Sequence, residues 1–153
     1  DDFEKIQKAT FEIKKKLGEV GDKISYKLPS FDFNLSGKSE REITGAIESQ
    51  IDDRTLLENL RLLHPALFNS YDRRYFLSED EKFRITIDYN MKFYNPNLKS
   101  FRRTKVAIPE VILELKYATE DDAEARKISQ EWSSRLSKNS KYVRGCDLLY
   151  WAD

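Results

Sequence analysis

Four stretches of this chain alternate charged and apolar side chains with a period of two residues; they lie at residues 11–17, 83–88, 111–117 and, less regularly, 71–76. Because successive residues of a β-strand point to opposite faces, each stretch predicts a strand with one apolar face and one charged face. The side chains on the charged parity are mostly basic with a few carboxylates: Glu12, Lys14, Lys16, Arg84, Asp88, Glu114 and Lys116. A cationic face of this kind suits a polyanion with a bound metal ion.

The composition is that of one ordinary domain without net charge. The chain has 153 residues, of which 27 are Lys or Arg and 27 are Asp or Glu, and this length corresponds to about one domain. Net charge therefore predicts no partner, and a polyanion site has to arise from local segregation of charge. No apolar run approaches the ~20 residues of a membrane span. We expect a single domain over residues 1–153 with no membrane span in this chain.

Side chains for covalent or zinc chemistry are sparse. Cys146 is the only cysteine, which excludes an intrachain disulfide and suits a reducing compartment. We interpret it as a small half-buried residue of a terminal strand, because the only histidine, His64, is far from it in sequence. Zinc-ligand spacings, the P-loop pattern and the G-x-G-x-x-G pattern are absent from the sequence. The chain therefore offers no sign of a catalytic triad, a zinc site or a Rossmann site.

The order of elements predicts an α+β fold with an antiparallel sheet. The predicted strands cover residues 8–17, 23–28, 67–77, 81–89, 106–117 and 141–150. The predicted helices cover residues 40–50, 53–63 and 119–136. Ser39 and Glu42 have the spacing of a capping box, and Pro65 ends the second helix. Residues 29–37 are a predicted loop, and Lys99, Arg102, Arg103 and Lys105 a predicted basic loop.

Two architectures remain open at this point. In an ordinary sandwich the apolar face is buried and the charges are merely solvated, which explains each strand alone. In a closed antiparallel barrel the charged face lines the interior, and the apolar outer face packs under the three predicted helices. The second architecture also explains why the same charge pattern recurs on separate strands.

Several segments form an ordered set of motifs. Residues 113–117 (Leu-Glu-Leu-Lys-Tyr) precede a predicted helix, which is followed by residues 137–145 (Ser-Lys-Asn-Ser-Lys-Tyr-Val-Arg-Gly). Upstream, residues 73–76 contain Arg-x-x-Phe, residues 83–88 contain Arg-x-Thr-x-Asp, and residues 11–16 contain Glu-x-Lys. In this order the motifs resemble the vacuolar transporter chaperone (VTC) domain family, from about residue 8 to residue 150.

This resemblance implies a triphosphate tunnel metalloenzyme fold, in which eight antiparallel strands surround a basic tunnel that holds a polyphosphate chain and a divalent metal ion. It also implies polyphosphate polymerase activity, which moves the γ-phosphate of ATP onto a growing chain. The implied catalytic residues are Arg73, Arg84 and Lys141. The implied phosphate-binding residues are Lys14, Lys16, Arg73, Arg84, Lys116, Lys138, Ser140 and Lys141. The implied ligands of Mn²⁺ or Mg²⁺ are Glu114 and, as the weaker candidate, Glu12.

The chemistry of phosphoryl transfer agrees with these assignments, since it needs mainly positioning and positive charge and no nucleophilic side chain. A structural interpretation of the same residues stays open. Glu114 and Lys116 have the spacing of an exposed strand ion pair, and Arg73 and Arg84 have Asp88 or Asp72 as candidate partners within the sheet.

Two departures from the family pattern shape the remaining expectations. The return strand contains Lys23, Ser25 and Lys27 where the family usually has Lys-x-Arg. The chain also offers about six strands where the tunnel needs eight. We therefore expect a C-terminal portion of the VTC-like tunnel domain, with little activity in isolation and with open sheet edges that favour a homodimer.

Three functions and one location follow as expectations. Polyphosphate polymerase-like transfer from ATP comes first, and the alternatives are a non-catalytic polyphosphate-binding module or a triphosphate hydrolase. Nucleic acid is not expected as a partner, because no recognised motif and no overall basicity is present. The expected location is the cytoplasm, including the cytosolic face of a membrane if a further domain anchors the protein there.

Overall fold

In this computed structural model the described residues are 8–17, 20–28, 38–96, 105–133 and 137–151. For residues 15–17 and 20–22 only the backbone is described. The chain divides into two compact units. The first contains Asp1–Ala66 and Pro96–Ser100, and the second contains Leu67–Asn95 and Phe101–Asp153. Whether the two units form one domain over residues 1–153 stays a prediction.

The first unit begins with an antiparallel hairpin. Strand β1 covers Ala9–Leu17 and strand β2 covers Val20–Leu28, in a register that places Ile13 opposite Ile24. The predicted hairpin is confirmed, although its return strand starts earlier than residue 23.

Two capped helices follow the hairpin. Helix α1 covers Glu40–Glu48, and its capping box is formed as predicted: the Ser39 hydroxyl accepts the Glu42 N–H, and the Glu42 carboxylate accepts the Ser39 N–H at 2.8 Å. Helix α2 covers Arg54–Leu60, and the carboxylate of its N-cap Asp53 accepts the Leu56 N–H at 3.0 Å. Both caps satisfy backbone donors that the first helical turn leaves without partners.

The apolar face of the hairpin packs against these helices. Leu28, Ile51 and Leu56 are buried at the centre of this core. Partly buried residues around them are Ala9, Phe11, Ile13, Tyr26, Ile47, Leu57 and Leu60. Glu12 and Lys14, on the opposite parity of β1, are exposed. In this unit the strand alternation therefore separates the face under the helices from the charged face, as the sequence predicts.

The second unit contains a four-stranded antiparallel sheet built on a long central strand. Strand β4 (Arg84–Tyr94) pairs with β3 (Phe68–Leu77) on one side and with β5 (Val106–Ile108) and β6 (Ile112–Lys116) on the other. The predicted strand 106–117 is thus two strands. Pro109 lies between them, and proline has no backbone N–H to donate to the ladder.

A tight turn and a bulge define the length of β4. The Ser78 N–H donates to the Phe83 carbonyl at 2.9 Å, so β4 starts only at residue 84. Asn90 has a φ of 54° and lies where the register with β3 shifts. A β-bulge inserts one extra residue into a strand, and here the pairing with β3 continues beyond it. Strand β4 therefore extends past residue 89, where the sequence predicted its end, and its buried positions change from even to odd residue numbers. Thr86 and Asp88 are buried before the bulge, and Met91 and Phe93 after it.

Helix α3 is shorter than predicted. A 3₁₀ turn at Thr119–Asp121 leads into α3, which covers Asp122–Gln130 rather than extending to residue 136. Ala125 is its most buried residue, with 1% of its surface exposed.

The predicted terminal strand at 141–150 is wrong. Helix α4 covers Lys141–Cys146 and continues as a π-helical turn over Asp147–Trp151. Lys141, Gly145 and Leu149 are turned inward, whereas Val143 and Asp147 between them are exposed. A strand would place all five on one face, so this pattern is helical. Cys146 is half-buried as expected, but on a helix.

The α+β class with antiparallel sheets is confirmed. Within the described ranges the strands form a two-stranded and a four-stranded sheet and no closed barrel, so the tunnel architecture stays a prediction. The predicted loop at 29–37, and Lys99, Arg102 and Arg103 of the predicted basic loop, lie outside the described residues. None of the described helices is long and apolar enough to cross a membrane.

Gly145 allows α4 to lie close to the sheet, and this predicts a steric effect. A Cβ at this position would lie 2.6 Å from Cδ1 of Phe93 and 2.7 Å from Cδ2 of Leu67. We expect Gly145→Ala to lower the free energy of unfolding by about 1–3 kcal/mol relative to a matched helical substitution, because overpacking forces buried side chains to shift. The matched control is Gly45→Ala in α1, where the new Cβ meets nothing within 4 Å. Urea denaturation measures both variants, and equal stability of the two would contradict the prediction.

Candidate functional site

The register of the second sheet brings the charged residues of three strands to one face. Asp88 of β4 lies opposite Arg73 of β3, and Arg84 lies opposite Lys116 of β6. Glu114 lies opposite Thr86, which shares its parity with both Arg84 and Asp88. Because residues paired across strands share a face, and residues two apart do so along a strand, all of these side chains belong to one charged face.

Asp88 is the centre of this face. Only 1% of its surface is exposed, yet it is charged and contacted by two cations. Its Oδ1 accepts Arg73 Nε at 2.5 Å, its Oδ2 accepts Arg73 Nη2 at 2.7 Å, and Lys141 Nζ lies 2.6 Å from Oδ2. Asp88 therefore ties β3, β4 and the first turn of α4 together through a bidentate arginine and a lysine. The sequence left the Arg73–Asp88 pair open as a structural alternative, and the structure contains it.

Titration behaviour follows from these contacts. Burial by itself raises the pKa of Asp88, but the hydrogen bonds and charges of Arg73 and Lys141 outweigh burial, and the net shift is downward. The hydrogen bond to Asp88 in turn raises the pKa of Arg73. At neutral pH Asp88 is therefore an anion and Arg73 a cation.

Two tyrosines complete the surroundings of Arg73. Its guanidinium carbon lies 5.0 Å from the ring centre of Tyr71 and 5.7 Å from that of Tyr75, and Lys141 Nζ lies 4.9 Å from the ring centre of Tyr71. Cation–π contacts of this kind restrict where the cationic groups lie. Sequence reasoning missed both tyrosines. Their positions two residues before and after Arg73, on the parity of the charged face, were the available signal.

Glu114 is the residue of this sheet best placed to bind a metal ion. It is half-buried, its Oε2 accepts the Thr86 hydroxyl at 3.4 Å, and Lys116 Nζ lies 3.5 Å from its Oε1. The described part of the chain contains no group of three or more His, Cys, Asp or Glu side chains that could hold a metal ion. A single carboxylate fits Mg²⁺ or Mn²⁺ only where substrate oxygens and water supply the other ligands, as these ions commonly accept.

The second metal candidate, Glu12, lies on β1 in the other unit. Its Oε1 accepts Lys23 Nζ at 2.9 Å, and this hydrogen bond lowers its pKa. Lys14 lies opposite Lys23 on the same hairpin and is exposed. Lys16 is part of β1, but its side chain lies outside the described residues. The hairpin thus has a cationic face of its own.

Two like charges face each other at one end of the second sheet. Arg84 and Lys116 are direct cross-strand partners, an arrangement that costs stability when nothing compensates for it. Lys116 lies near Glu114, whereas Arg84 forms no ion pair with any residue that the structure describes. This end of the face therefore has excess positive charge.

The last two predicted phosphate ligands precede or open α4. Lys138 is exposed and has no ion pair among the described residues. Ser140 is the N-cap of α4, and its hydroxyl oxygen accepts the Val143 N–H at 3.4 Å. The Ser140 oxygen thus has a structural role as a helix cap. Its hydroxyl hydrogen can still donate to a phosphate oxygen, which is the contact that the sequence predicts.

Burial varies along the charged face. Thr86 and Asp88 at its centre are almost completely buried, whereas Tyr75 is 67% exposed and Arg84 and Lys116 are exposed as well. The enclosed centre agrees with the charged-interior interpretation of the strand pattern, although closure into a barrel is not observed in the described strands.

The ion cluster at Asp88 predicts a strong effect of its removal. Asp88→Asn leaves Arg73 and Lys141, whose side chains are 23% and 20% exposed, without a counter-charge. We expect a loss of about 2–4 kcal/mol in the free energy of unfolding at neutral pH.

The pH dependence of this effect has a defined sign. Asp88 has a lower pKa in the folded chain than its unfolded value of about 3.9. The cluster therefore contributes its full stabilisation at pH values above the unfolded pKa of Asp88. It loses this contribution as the pH falls through the lower pKa that Asp88 has in the folded chain. The difference between wild type and Asp88→Asn, measured by denaturant unfolding, should shrink below about pH 4. The exposed Asp52→Asn is the control, and a variant at Asp88 as stable as this control at pH 7 would refute the prediction.

Comparison with known proteins now identifies the family. Searches of curated proteins and of solved structures found no match. The sequence profile of the VTC domain matches residues 2–150, nearly the whole chain. This confirms the resemblance seen in the ordered motifs, while the expected position in the C-terminal part of the domain stays a prediction. The chain therefore belongs to the VTC domain family.

Proposed function

We propose that the charged face of the second sheet binds a chain of phosphates, and that the intact protein transfers a phosphoryl group from ATP to polyphosphate. The proposed site, called the cationic site below, consists of Arg73, Arg84, Lys116 and Lys141. Membership in the VTC domain family is consistent with a polyphosphate-related role.

The observation that supports this proposal most is the excess positive charge around Arg84. Arg84 and Lys116 are directly opposed, and no described carboxylate pairs with Arg84. A polyanion that bridges both groups would remove the repulsion and gain charge-assisted hydrogen bonds. Separate solvated charges do not require such an arrangement.

Arg73 and Lys141 can bind phosphate while they remain bound to Asp88. A guanidinium has five N–H donors and an ammonium has three. Asp88 accepts two donors of Arg73 and contacts the Lys141 ammonium at one oxygen. The carboxylate therefore orients the two cations and leaves donors for a ligand. Orientation and charge on the transferred group are what phosphoryl transfer needs from a protein.

Glu114 is the residue that would hold Mg²⁺ or Mn²⁺. When bound, the ion supplies positive charge at phosphate oxygens beyond that of the side chains. Lys116 Nζ lies 3.5 Å from Glu114 Oε1. A metal ion on Glu114 and the side chains of the cationic site would therefore contact the same bound phosphate chain.

A non-catalytic polyphosphate-binding module is the second candidate. It is favoured by the contact of 3.5 Å between Glu114 and Lys116, which neutralises the carboxylate without any metal ion. A triphosphate hydrolase would use the same cationic site. The cytoplasmic location and a homodimer through open sheet edges stay expectations. For the dimer, β3 offers an edge, because among the described strands it pairs only with β4.

Calorimetric titration of the chain with tripolyphosphate tests the anion site. We expect wild-type binding to weaken about tenfold or more in Arg84→Ala, because one charge-assisted contact contributes about 1.5–3 kcal/mol. The control is Arg54→Ala on α2, whose side chain is 92% exposed and pairs only with Glu58 among the described residues. Equal affinities of the two variants, or no binding by the folded wild type, would reject the proposed site.

The role of Glu114 has a separate readout. Mn²⁺ should tighten tripolyphosphate binding by wild type, and Glu114→Gln should abolish that increase. Metal-free binding by the variant should be at least as tight as by wild type, because Lys116 loses its carboxylate partner. If Mn²⁺ acts equally on both proteins, Glu114 is not its ligand. Incubation with ATP then separates the functions: polymer growth identifies a polymerase, whereas binding without turnover identifies a binding module. Release of phosphate from tripolyphosphate identifies a hydrolase.

A further inference from the structure

The face of the second sheet opposite the charged face is apolar and open. On this face Phe76 of β3 is 50% exposed and Leu113 of β6 is 44% exposed, and the neighbouring Val111 is 62% exposed. An open groove of about 440 Å³ crosses this face, and its lining includes Phe76, Ile87 and Val111. An exposed apolar patch on a folded chain marks an interaction surface when its side chains adjoin one another. The cationic site lies on the other face, so the function proposed above does not use this surface.

One carboxylate and one guanidinium lie side by side on the same apolar face. Asp72 and Arg74 of β3 are both exposed, and they lie opposite Tyr89 and Ile87 of β4. Asp72 accepts a hydrogen bond from Asn90 Nδ2 at 2.7 Å but has no cationic partner among the described residues. The guanidinium carbon of Arg74 lies 5.7 Å from the ring centre of Tyr89, and no described carboxylate pairs with it. The face therefore has one unmatched charge of each sign.

This charge pattern fits a second copy of the chain. In an isologous interface both copies use the same surface, so that residue i of one copy contacts residue j of the other, and j contacts i. A two-fold axis that crosses the strands at the level of Arg73 places Arg74 of each copy over Asp72 of the other. The same axis places Ile87 over Tyr89 of the other copy, because these two residues are the β4 partners of Arg74 and Asp72.

The symmetry also favours a second copy over an unrelated partner. Sheets that pack face to face lie about 10 Å apart, with the side chains of both inner faces between them. An unrelated apolar partner has to supply a carboxylate and a cation in the reverse order along its own surface. A second copy supplies both by symmetry, and it covers the apolar groove with an equally apolar face.

We propose that the chain forms a two-fold symmetric dimer through the apolar face of the second sheet, with two reciprocal ion pairs between Arg74 and Asp72. This interface differs from the dimer through open sheet edges that the sequence predicts, because it uses side chains of a face rather than backbone groups of β3. It directs the charged face of each copy away from the partner. The inference therefore does not rest on the proposed function.

Exchange of the two charges tests the interface by sedimentation velocity over a series of concentrations. We expect the wild type to sediment as a dimer. Arg74→Asp and Asp72→Arg each turn both ion pairs into pairs of like charge, and each variant should dimerise at least about tenfold more weakly. An equimolar mixture of the two variants should restore the dimer, because one copy then has two carboxylates and the other two guanidinium groups. Arg54→Asp on α2, where the side chain is 92% exposed, is the control for the change of charge and should remain a dimer.

A further variant distinguishes the face from the edge of the sheet. Val111→Asp puts a charge into the groove next to β6, and β4 lies between β6 and the edge strand β3. It should weaken a dimer through the face and leave a dimer through the β3 edge unchanged. Leu62→Asp is the matched control, because Leu62 is 79% exposed and does not line the groove. Far-ultraviolet circular dichroism verifies that each variant is folded.

Three outcomes would overturn the inference. The first is a wild-type chain that sediments as a monomer at every concentration, which would leave the apolar face to a different partner. The second is a mixture of Arg74→Asp and Asp72→Arg that stays monomeric although both variants are folded. The third is a dimer that Val111→Asp leaves intact, which would point to pairing through the edge of β3 instead.

Discussion

The ion cluster of Asp88, Arg73 and Lys141 is the interaction on which the second unit depends. A carboxylate with 1% exposure is tolerated only where cations offset the loss of hydration, and here two cations from different elements do so. The cluster joins β3 to β4 and holds the start of α4 over the charged face. Four residues further on, Gly145 lets α4 approach Phe93. The cluster and the glycine together therefore determine how this helix covers the sheet.

The same cluster relates stability to binding. An isolated buried ion pair is weak evidence for stability, because desolvation can exceed the Coulombic gain. Here the carboxylate leaves donors of Arg73 and Lys141 available, and the neighbouring Arg84 and Lys116 remain opposed. A sheet face arranged in this way is costly for the empty protein and favourable for one that binds an anion. This is the physical basis of the proposed phosphate site.

Local signals predicted the first unit well. The capping box of Ser39 and Glu42 and the hairpin depend on interactions between residues close in sequence. The alternation along β1 also marks which face packs under the helices. The second unit was predicted less accurately. Pro109 divides one predicted strand, and Asn90 extends another through a bulge. The segment 141–150 has apolar residues that fit either period, and only its packing on the sheet selects the helix.

The sequence by itself determined the class of the fold, the alternation that places basic residues on one strand face, and the ordered motifs of the VTC domain. These are properties of single strands and of residue order. Tertiary structure alone decided that Asp88 is shared by Arg73 and Lys141, and that Arg84 lies opposite Lys116. The reason is that these groups come from separate elements, and only strand register and helix docking bring them together.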